Sequence, residues 1–318
     1  MTELHVVTGA GPVGWTVAEQ LARAGHRVRV LTRSGSGPTH PVIERRRVDV
    51  AKPGALDAEL DGAAAVYHCI HGSAYSAKAW RAELPAAEQL VLAAAGKVGA
   101  VVVFPESLYA FGRVRSPMTE DSPRDATGGK LGVRADLLRA REVSSTPTVS
   151  VAASDFFGPR VRGAHAGERM VPTILAGRSL RVVGSLNQSH SFTYVPDFAA
   201  AMIVAARDRG LWNRFLLAPT APALTQRELV AAFAAAGGVA IPKLSVIPEW
   251  LLRTVGLVHP ATRELAETAY QFTAPFVVES SASEAMLGLA PTPLEVGARE
   301  TVRWWRENAT TESAASAA

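Results

Sequence analysis

Leu4-His5-Val6-Val7-Thr8-Gly9-Ala10-Gly11-Pro12-Val13-Gly14 decides the fold. Its first five residues are a short, β-rich run. The run breaks into Gly-x-Gly-x-x-Gly, and Trp15 to Ala24 then reads as a helix. Strand, glycine turn and helix in immediate succession is the context in which this spacing binds a dinucleotide. The first glycine admits a tight turn, the second lets a pyrophosphate approach the backbone, and the third lets helix and strand pack closely. The helix N-terminus offers free N–H groups and the positive end of its dipole to the phosphates. Gly9, Gly11, Pro12, Val13 and Gly14 are therefore the expected phosphate-side contacts. The competing reading is a glycine turn that serves packing alone.

A second strand, Val28 to Thr32, follows Gly25-His26 and runs into Arg33-Ser34-Gly35. NAD-binding versions close this strand with an Asp or Glu on the ribose 2′-hydroxyl. Here there is no carboxylate. A carboxylate would repel a 2′-phosphate, whereas a guanidinium binds it bidentately. Arg33 and Ser34 therefore predict NADP(H) in preference to NAD(H). The alternative is a solvated surface arginine in an arginine-rich chain.

The 318 residues are 48% hydrophobic and 19% charged, with a net charge of +4, as in a globular protein of one large or two modest domains. No apolar run is long enough to span a bilayer, and no signal segment precedes the first strand, so a cytoplasmic protein without a membrane partner is expected. The cluster Arg45-Arg46-Arg47 reads as surface charge, and no nucleic-acid-binding motif is visible. Cys69 is the single cysteine and sits in the apolar run Ala65 to Ile70, which reads as a buried thiol. It excludes an internal disulfide and a multi-cysteine metal site, and no metal is expected.

Strand-like and helical runs alternate through the first half. Arg47 to Val50 reads as a third strand, Ala65 to Ile70 as a fourth, Ala100 to Phe104 as a fifth and Thr148 to Ala152 as a sixth. Pro85 to Ala95, with Pro85 in its first turn, and Leu131 to Val143 read as helices. Apolar strands separated by helices predict an α/β fold, a Rossmann-type doubly wound parallel sheet with the cofactor across the carboxyl ends of its strands. Residues 1–158 read as the dinucleotide-binding domain, with some later segments returning to it. Beyond it, Glu168 to Leu175, Gln226 to Ala236, Glu249 to Val255, Ala261 to Tyr270 and Pro293 to Glu307 read as helices, and Lys243 to Ile247 as a strand. Residues 159–309 are expected to form mainly a smaller substrate-capping region, and the small, polar 310–318 a disordered tail.

Six segments in order carry a family resemblance. They are Thr8 to Gly14, Val48-Asp49-Val50, Leu108-Tyr109-Ala110, Ser154 to Pro159, Phe192 to Asp197 and Leu287 to Pro293. Together they resemble the extended short-chain dehydrogenase/reductase family, in its NAD-dependent epimerase/dehydratase-like branch, over nearly the whole chain. The resemblance implies that Asp49 and Val50 meet the adenine. It also implies a Tyr-x-x-x-Lys motif, whose lysine holds the nicotinamide ribose and whose tyrosine exchanges a proton with the substrate. Lys130 fits the lysine, but Ala126 stands where the tyrosine would. The family's substrate-polarising Ser/Thr lies four residues before the tyrosine of Val-Tyr-Gly. With Leu108-Tyr109-Ala110 in that place, the position falls on Pro105, which donates nothing.

The expected catalytic groups are therefore Lys130 and a substitute proton carrier drawn from Tyr109, Glu106 and His71. Ser107, Tyr75, Phe156, Phe157, His190 and Tyr194 are the candidate substrate contacts, although some of the aromatics read equally as core. The family's arginine that contacts the diphosphate of nucleotide sugars falls on His190. That implies a small or medium-sized carbonyl or hydroxyl compound instead of a nucleotide sugar. An NADP(H)-dependent oxidoreductase with an atypical site is the first reading. A non-redox lyase or isomerase and a catalytically silent NADP-sensing protein are the alternatives. The helical stretches 85–95 and 131–143 would permit a homodimer, as in relatives.

Overall fold

The computed structural model of the protein describes residues 3–114 and 116–315. Strand β1 (Leu4–Thr8) leads into α1 (Pro12–Arg23), followed by β2 (Arg27–Thr32), β3 (Ile43–Arg47) and β4 (Ala63–His68). Then come α2 (Ala77–Val98), β5 (Val101–Ser107), α3 (Gly129–Glu142), β6 (Thr148–Ala153) and β7 (Asp155–Phe157). The second half runs through α4 (Val171–Leu175), β8 (Leu180–Val183), β9 (Phe192–Tyr194), α5 (Val195–Arg207), β10 (Phe215–Leu217) and α6 (Gln226–Gly237). It ends with β11 (Leu244–Ile247), α7 (Glu249–Gly256), α8 (Pro260–Thr268), α9 (Ser281–Leu287) and α10 (Leu294–Ala315).

Seven strands form one parallel sheet in the order β10-β6-β5-β4-β1-β2-β3. The chain winds outward from β1 through β3, then crosses to β4 and winds the other way. Ligands of such sheets bind outside the carboxyl ends of the strands, at the point where the order reverses. The central strands are buried on both faces. Val7, Tyr67 and Val103 pack toward α1 and α5, and Val6, Val66 and Val102 pack toward α2. A second core gathers Phe157, Val171, Ile174, Phe192, Leu229, Phe233 and Trp305 around the two-stranded pairs β8–β11 and β7–β9. Strand β10, although late in the chain, closes the edge of the main sheet beside β6.

Several boundaries differ from the sequence reading for local reasons. The third strand spans Ile43–Arg47; the Val48 N–H still donates to Thr32 O, and the Asp49 carboxylate then accepts from the Ala51 N–H and turns the chain out of the sheet. Helix α2 starts two turns before Pro85, where the Ser76 hydroxyl caps the Ala79 N–H. Burial of Trp80 and Leu84 then carries the helix through the proline despite its missing donor. Helix α4 is confined to Val171–Leu175, since Glu168 bonds back to Arg162 instead of opening a helix. Helix α10 runs to Ala315, into the segment expected to be a disordered tail; residues 316–318 lie outside the described residues. No described helix is long and apolar enough to cross a membrane.

Candidate functional site

At the end of β1 the Gly9 N–H donates to Leu31 O at 2.9 Å, which ties the turn to β2. Gly9 has φ +88°, and a Cβ there would lie 2.7 Å from the Cys69 carbonyl oxygen. A Cβ on Gly14 would lie 2.1 Å from the Gly9 carbonyl oxygen, so this glycine is required by the contact between α1 and the turn. A Cβ on Gly11 would meet no protein atom within 4 Å. The fold therefore does not demand Gly11, whereas a ligand approaching the backbone does. Pro12 opens α1 without needing a donor, Val13 is buried, and no side chain caps the helix. These features fit a dinucleotide phosphate. Cys69 packs beneath the turn, and burial pushes its thiol up, away from nucleophilic chemistry.

Arg33 and Ser34 are exposed beyond the end of β2. Asp49 is half-buried, with its carboxylate on Ala51. Val50 is buried in the core beside Leu56 and Leu60, so its side chain packs and does not face a ligand.

Trp80 organises the other end of the cleft. Its ring stacks on Tyr109 at 6.0 Å and meets the edges of His71 at 4.8 Å and Tyr75 at 5.6 Å. The Tyr75 and Tyr109 hydroxyls are 2.6 Å apart, and Tyr75 Oη lies 3.3 Å from Thr268 Oγ1. Burial raises both tyrosine pKa values, that of Tyr109 well above its ordinary range. Burial, then the Arg134 charge, lowers that of His71, which is therefore neutral at neutral pH.

Lys130 is 0% exposed in the first turn of α3, with Nζ 4.6 Å from the Tyr75 ring centre. It donates to Glu264 Oε2 at 2.6 Å, to Glu267 Oε2 at 2.6 Å and to the Glu264 carbonyl oxygen at 2.8 Å. An ammonium has three donors. In this arrangement all three seat α8, and none is left for a ribose hydroxyl. Glu267 also accepts from the Lys130 backbone N–H at 2.8 Å, so it caps α3 from a distant element. Gly129 makes room for it, because a Cβ there would overlap the Glu267 carboxylate.

Other candidates fall elsewhere. Glu106 has a fully buried side chain held by Arg141 at 2.9 Å and Arg134 at 3.3 Å, and Arg141 continues to Glu88. Such a carboxylate is committed to two guanidiniums, which removes it from proton transfer. Phe157 and Tyr194 touch each other and Gly297 in the second core, and are not substrate contacts. Phe156 is half-buried at the edge of the first core.

His190 is 1% exposed and stacks on Phe272. Its Nδ1 faces Gln271 O at 3.0 Å, and its Nε2 faces Asp155 Oδ2 at 2.9 Å. Both partners accept, so both bonds form when both ring nitrogens carry hydrogen. Asp155 is 23% exposed. Burial raises its pKa, but the His190 bond and charge outweigh burial and leave it below the ordinary carboxylate range. The cleft therefore carries a carboxylate whose histidine partner is already spent.

The turn after β5 admits a second register. Ala110-Phe111-Gly112 also fits Val-Tyr-Gly, with Phe for Tyr. Gly112 has φ +64°, a conformation that favours glycine. Four residues before Phe111 stands Ser107, half-buried at the end of β5 and bonded to the Glu106 carboxylate through its N–H at 2.8 Å. In this register Ser107 stands where the resemblance puts the polarising hydroxyl, and Pro105 drops out. Trp80, Asp155, Glu264, Glu267 and Thr268 belong to the site, and their types and spacing gave no signal in the sequence. Among the described residues no group of His, Cys, Asp or Glu could hold a metal.

The sequence model of the NAD dependent epimerase/dehydratase family matches residues 5–213. No curated protein matches the sequence significantly. Among solved structures, the chain is similar to WbmH from Bordetella bronchiseptica, determined in complex with NAD+. The identity is 18% and the TM-score 0.74, over 96% of this chain and 99% of that one. It is also similar to UDP-glucose 4-epimerase from Thermotoga maritima, determined with UDP-glucose, at 16% identity and a TM-score of 0.76, over 96% and 99%. An epimerase from Methanothermobacter thermautotrophicus gives 17% and 0.79, over 98% of this chain and 94% of that one. At these identities the likeness is one of fold.

Proposed function

The chain belongs to the NAD dependent epimerase/dehydratase family, and from that premise we propose that it is an NADP(H)-dependent oxidoreductase acting on a small or medium-sized carbonyl or hydroxyl compound. A bound nicotinamide dinucleotide supplies the hydride of such a reaction. The observation that carries the proposal is the pair of tyrosine hydroxyls 2.6 Å apart. It offers a proton carrier in a site whose sequence lacks the usual tyrosine.

In a bond between two hydroxyls, one donates and the other keeps its own proton free. With Tyr109 donating to Tyr75, the Tyr75 proton is available to a substrate oxygen; the Tyr75 phenolate left behind keeps the Tyr109 hydrogen bond and regains its proton from solvent, to which Tyr75 is open. Both raised pKa values keep the pair protonated at neutral pH. A developing alkoxide is basic enough to take a proton from such weak acids. Ser107 would hold the same oxygen. Thr268 and Lys130 fix the Tyr75 ring from α8 and α3.

The Asp155–His190 pair supports a substrate other than a nucleotide sugar. Where relatives of that kind present an arginine to a diphosphate, this chain presents a histidine already matched by a carboxylate. A diphosphate there would face the Asp155 carboxylate, with which His190 is already paired.

The test follows oxidation of NADPH by absorbance over a panel of neutral aldehydes and ketones. Tyr109→Phe and Tyr75→Phe are each expected to lower turnover by about 10²- to 10⁴-fold. Full turnover in either variant would move proton transfer away from the pair.

A further inference from the structure

β2 and β3 run parallel with Thr32 opposite Arg47, so the last residue of β3 lies beside the loop that follows β2. Arg47 turns into that loop. Its Nε donates to the Arg33 carbonyl oxygen at 3.0 Å, and its Cβ lies beneath Gly35, 3.8 Å from where a Cβ there would stand. Among the described residues, the other N–H groups of this guanidinium have no hydrogen-bond partner. The acids nearby are engaged elsewhere: Asp49 accepts from the Ala51 N–H, and Glu83, which feels the Arg33 charge, accepts from Ser73. Glu44 pairs with Arg29 and Arg46, and Glu59 with Arg29. Among the described residues neither Arg33 nor Arg47 has a carboxylate partner at salt-bridge distance. Ser34 and Ser36 stand in the same loop, with their hydroxyls 2.8 Å apart.

The Arg47 guanidinium seated on the Arg33 backbone, the Arg33 side chain and two hydroxyls, gathered at the carboxyl end of two strands, make a site for a doubly charged phosphomonoester. Each guanidinium presents a planar fork that matches phosphate oxygens.

We infer that Arg47 is a specificity-determining residue, which holds the 2′-phosphate of the dinucleotide together with Arg33. Its Nε fixes the Arg33 backbone, and its terminal nitrogens face the phosphate. The inference rests on the NADP(H) reading above and adds a ligand to it. Arg47 reads as plain surface charge in sequence, because its neighbour Arg33 is 14 residues away along the chain. Only the strand register brings them together.

The experiment is calorimetric titration with NADPH, NADH, adenosine 2′,5′-bisphosphate and 5′-AMP, on the wild type, Arg47→Met and Arg33→Ala, with melting curves to verify folding. A charge-assisted hydrogen bond sets the scale. Arg47→Met is expected to weaken NADPH and the bisphosphate by about 10-fold or more and to leave NADH and 5′-AMP within about two-fold. A wild type that prefers NADPH, with no change in Arg47→Met, overturns the role of Arg47 and leaves the cofactor reading standing. Equal losses for NADPH and NADH make Arg47 a mere support of the loop and overturn the inference. A wild type that binds NADH as tightly as NADPH overturns the inference and the NADP(H) reading together.

Discussion

The glycine turn after β1 and the polar cluster at the start of α3 are assembled from different materials. The turn is backbone. Its parts lie within Leu4 to Gly14, and main-chain bonds from Gly9 to Leu31 and from Cys69 to Thr8 tie it to β2 and to the chain after β4. The cluster is side chain. Lys130 meets Glu264 across 134 residues, Tyr75 meets Thr268 across 193, and Asp155 meets His190 across 35. Backbone geometry tolerates change in the surrounding side chains but not in its glycines. A side-chain cluster can be rebuilt around new partners. In this chain the second kind of construction has Ala126 four residues before Lys130 and a two-carboxylate clasp on Lys130.

Substitution in the glycine turn tests the contrast most severely. Gly14→Val is expected to prevent folding, because its Cβ would overlap the Gly9 carbonyl and the backbone cannot retreat; the readout is soluble, helical protein. Gly11→Val is expected to keep the melting temperature and lose detectable NADPH binding. If both behave alike, the turn is no more than packing.

The next largest effect lies in the cluster. Lys130→Met leaves Glu264 and Glu267 without their cation. Both are about a quarter exposed, so the loss is expected at about 2 kcal/mol, below that of a fully buried pair. It is measured by urea unfolding, and Glu264→Gln with Glu267→Gln should recover part of it. NADPH affinity is expected to change little. A large loss of NADPH affinity without loss of stability would return Lys130 to the ribose and erase the distinction.

Two pH effects follow. His5 and His68 are held down to about 4, chiefly by burial, against 6.5 for a free histidine. Between those values the unfolded chain binds protons that the folded one refuses, so stability falls as pH drops from 6.5 toward 4. A melting temperature constant over that window would contradict the buried environment of β1 and β4. The smallest effect is in the rate profile. The tyrosine pair must be protonated to act, and its pKa values are raised, so kcat/KM for reduction is expected to stay level beyond pH 8. A fall centred near pH 7 would point to a different acid.

The same contrast explains what could be read from the sequence. Glycine spacing and apolar runs act locally, so the strand-turn-helix at the start and the strands from Ala100 and Thr148 stand close to where the sequence puts them. The third strand slipped toward the N-terminus because an Asx turn at Asp49 outweighed the apolar Val48 and Val50. In the site, Tyr75 and Tyr109 were visible as residue types, but nothing in the sequence joined them; Trp80 does. Glu106 sits at a suggestive position, yet the arginines that immobilise it come from α3. The register of the turn after β5 is ambiguous by two residues, and only the positive φ of Gly112 separates the readings.

The clasp between α3 and α8 also bears on how the molecule is made. During synthesis Lys130 leaves the ribosome well before Glu264 and Glu267, and β6 well before β10. A nascent chain halted after β6 thus has an uncovered strand edge and a lysine whose acids do not yet exist. Such an edge is a template for pairing with another chain. A fragment cut at residue 158 would keep the glycine turn and still aggregate.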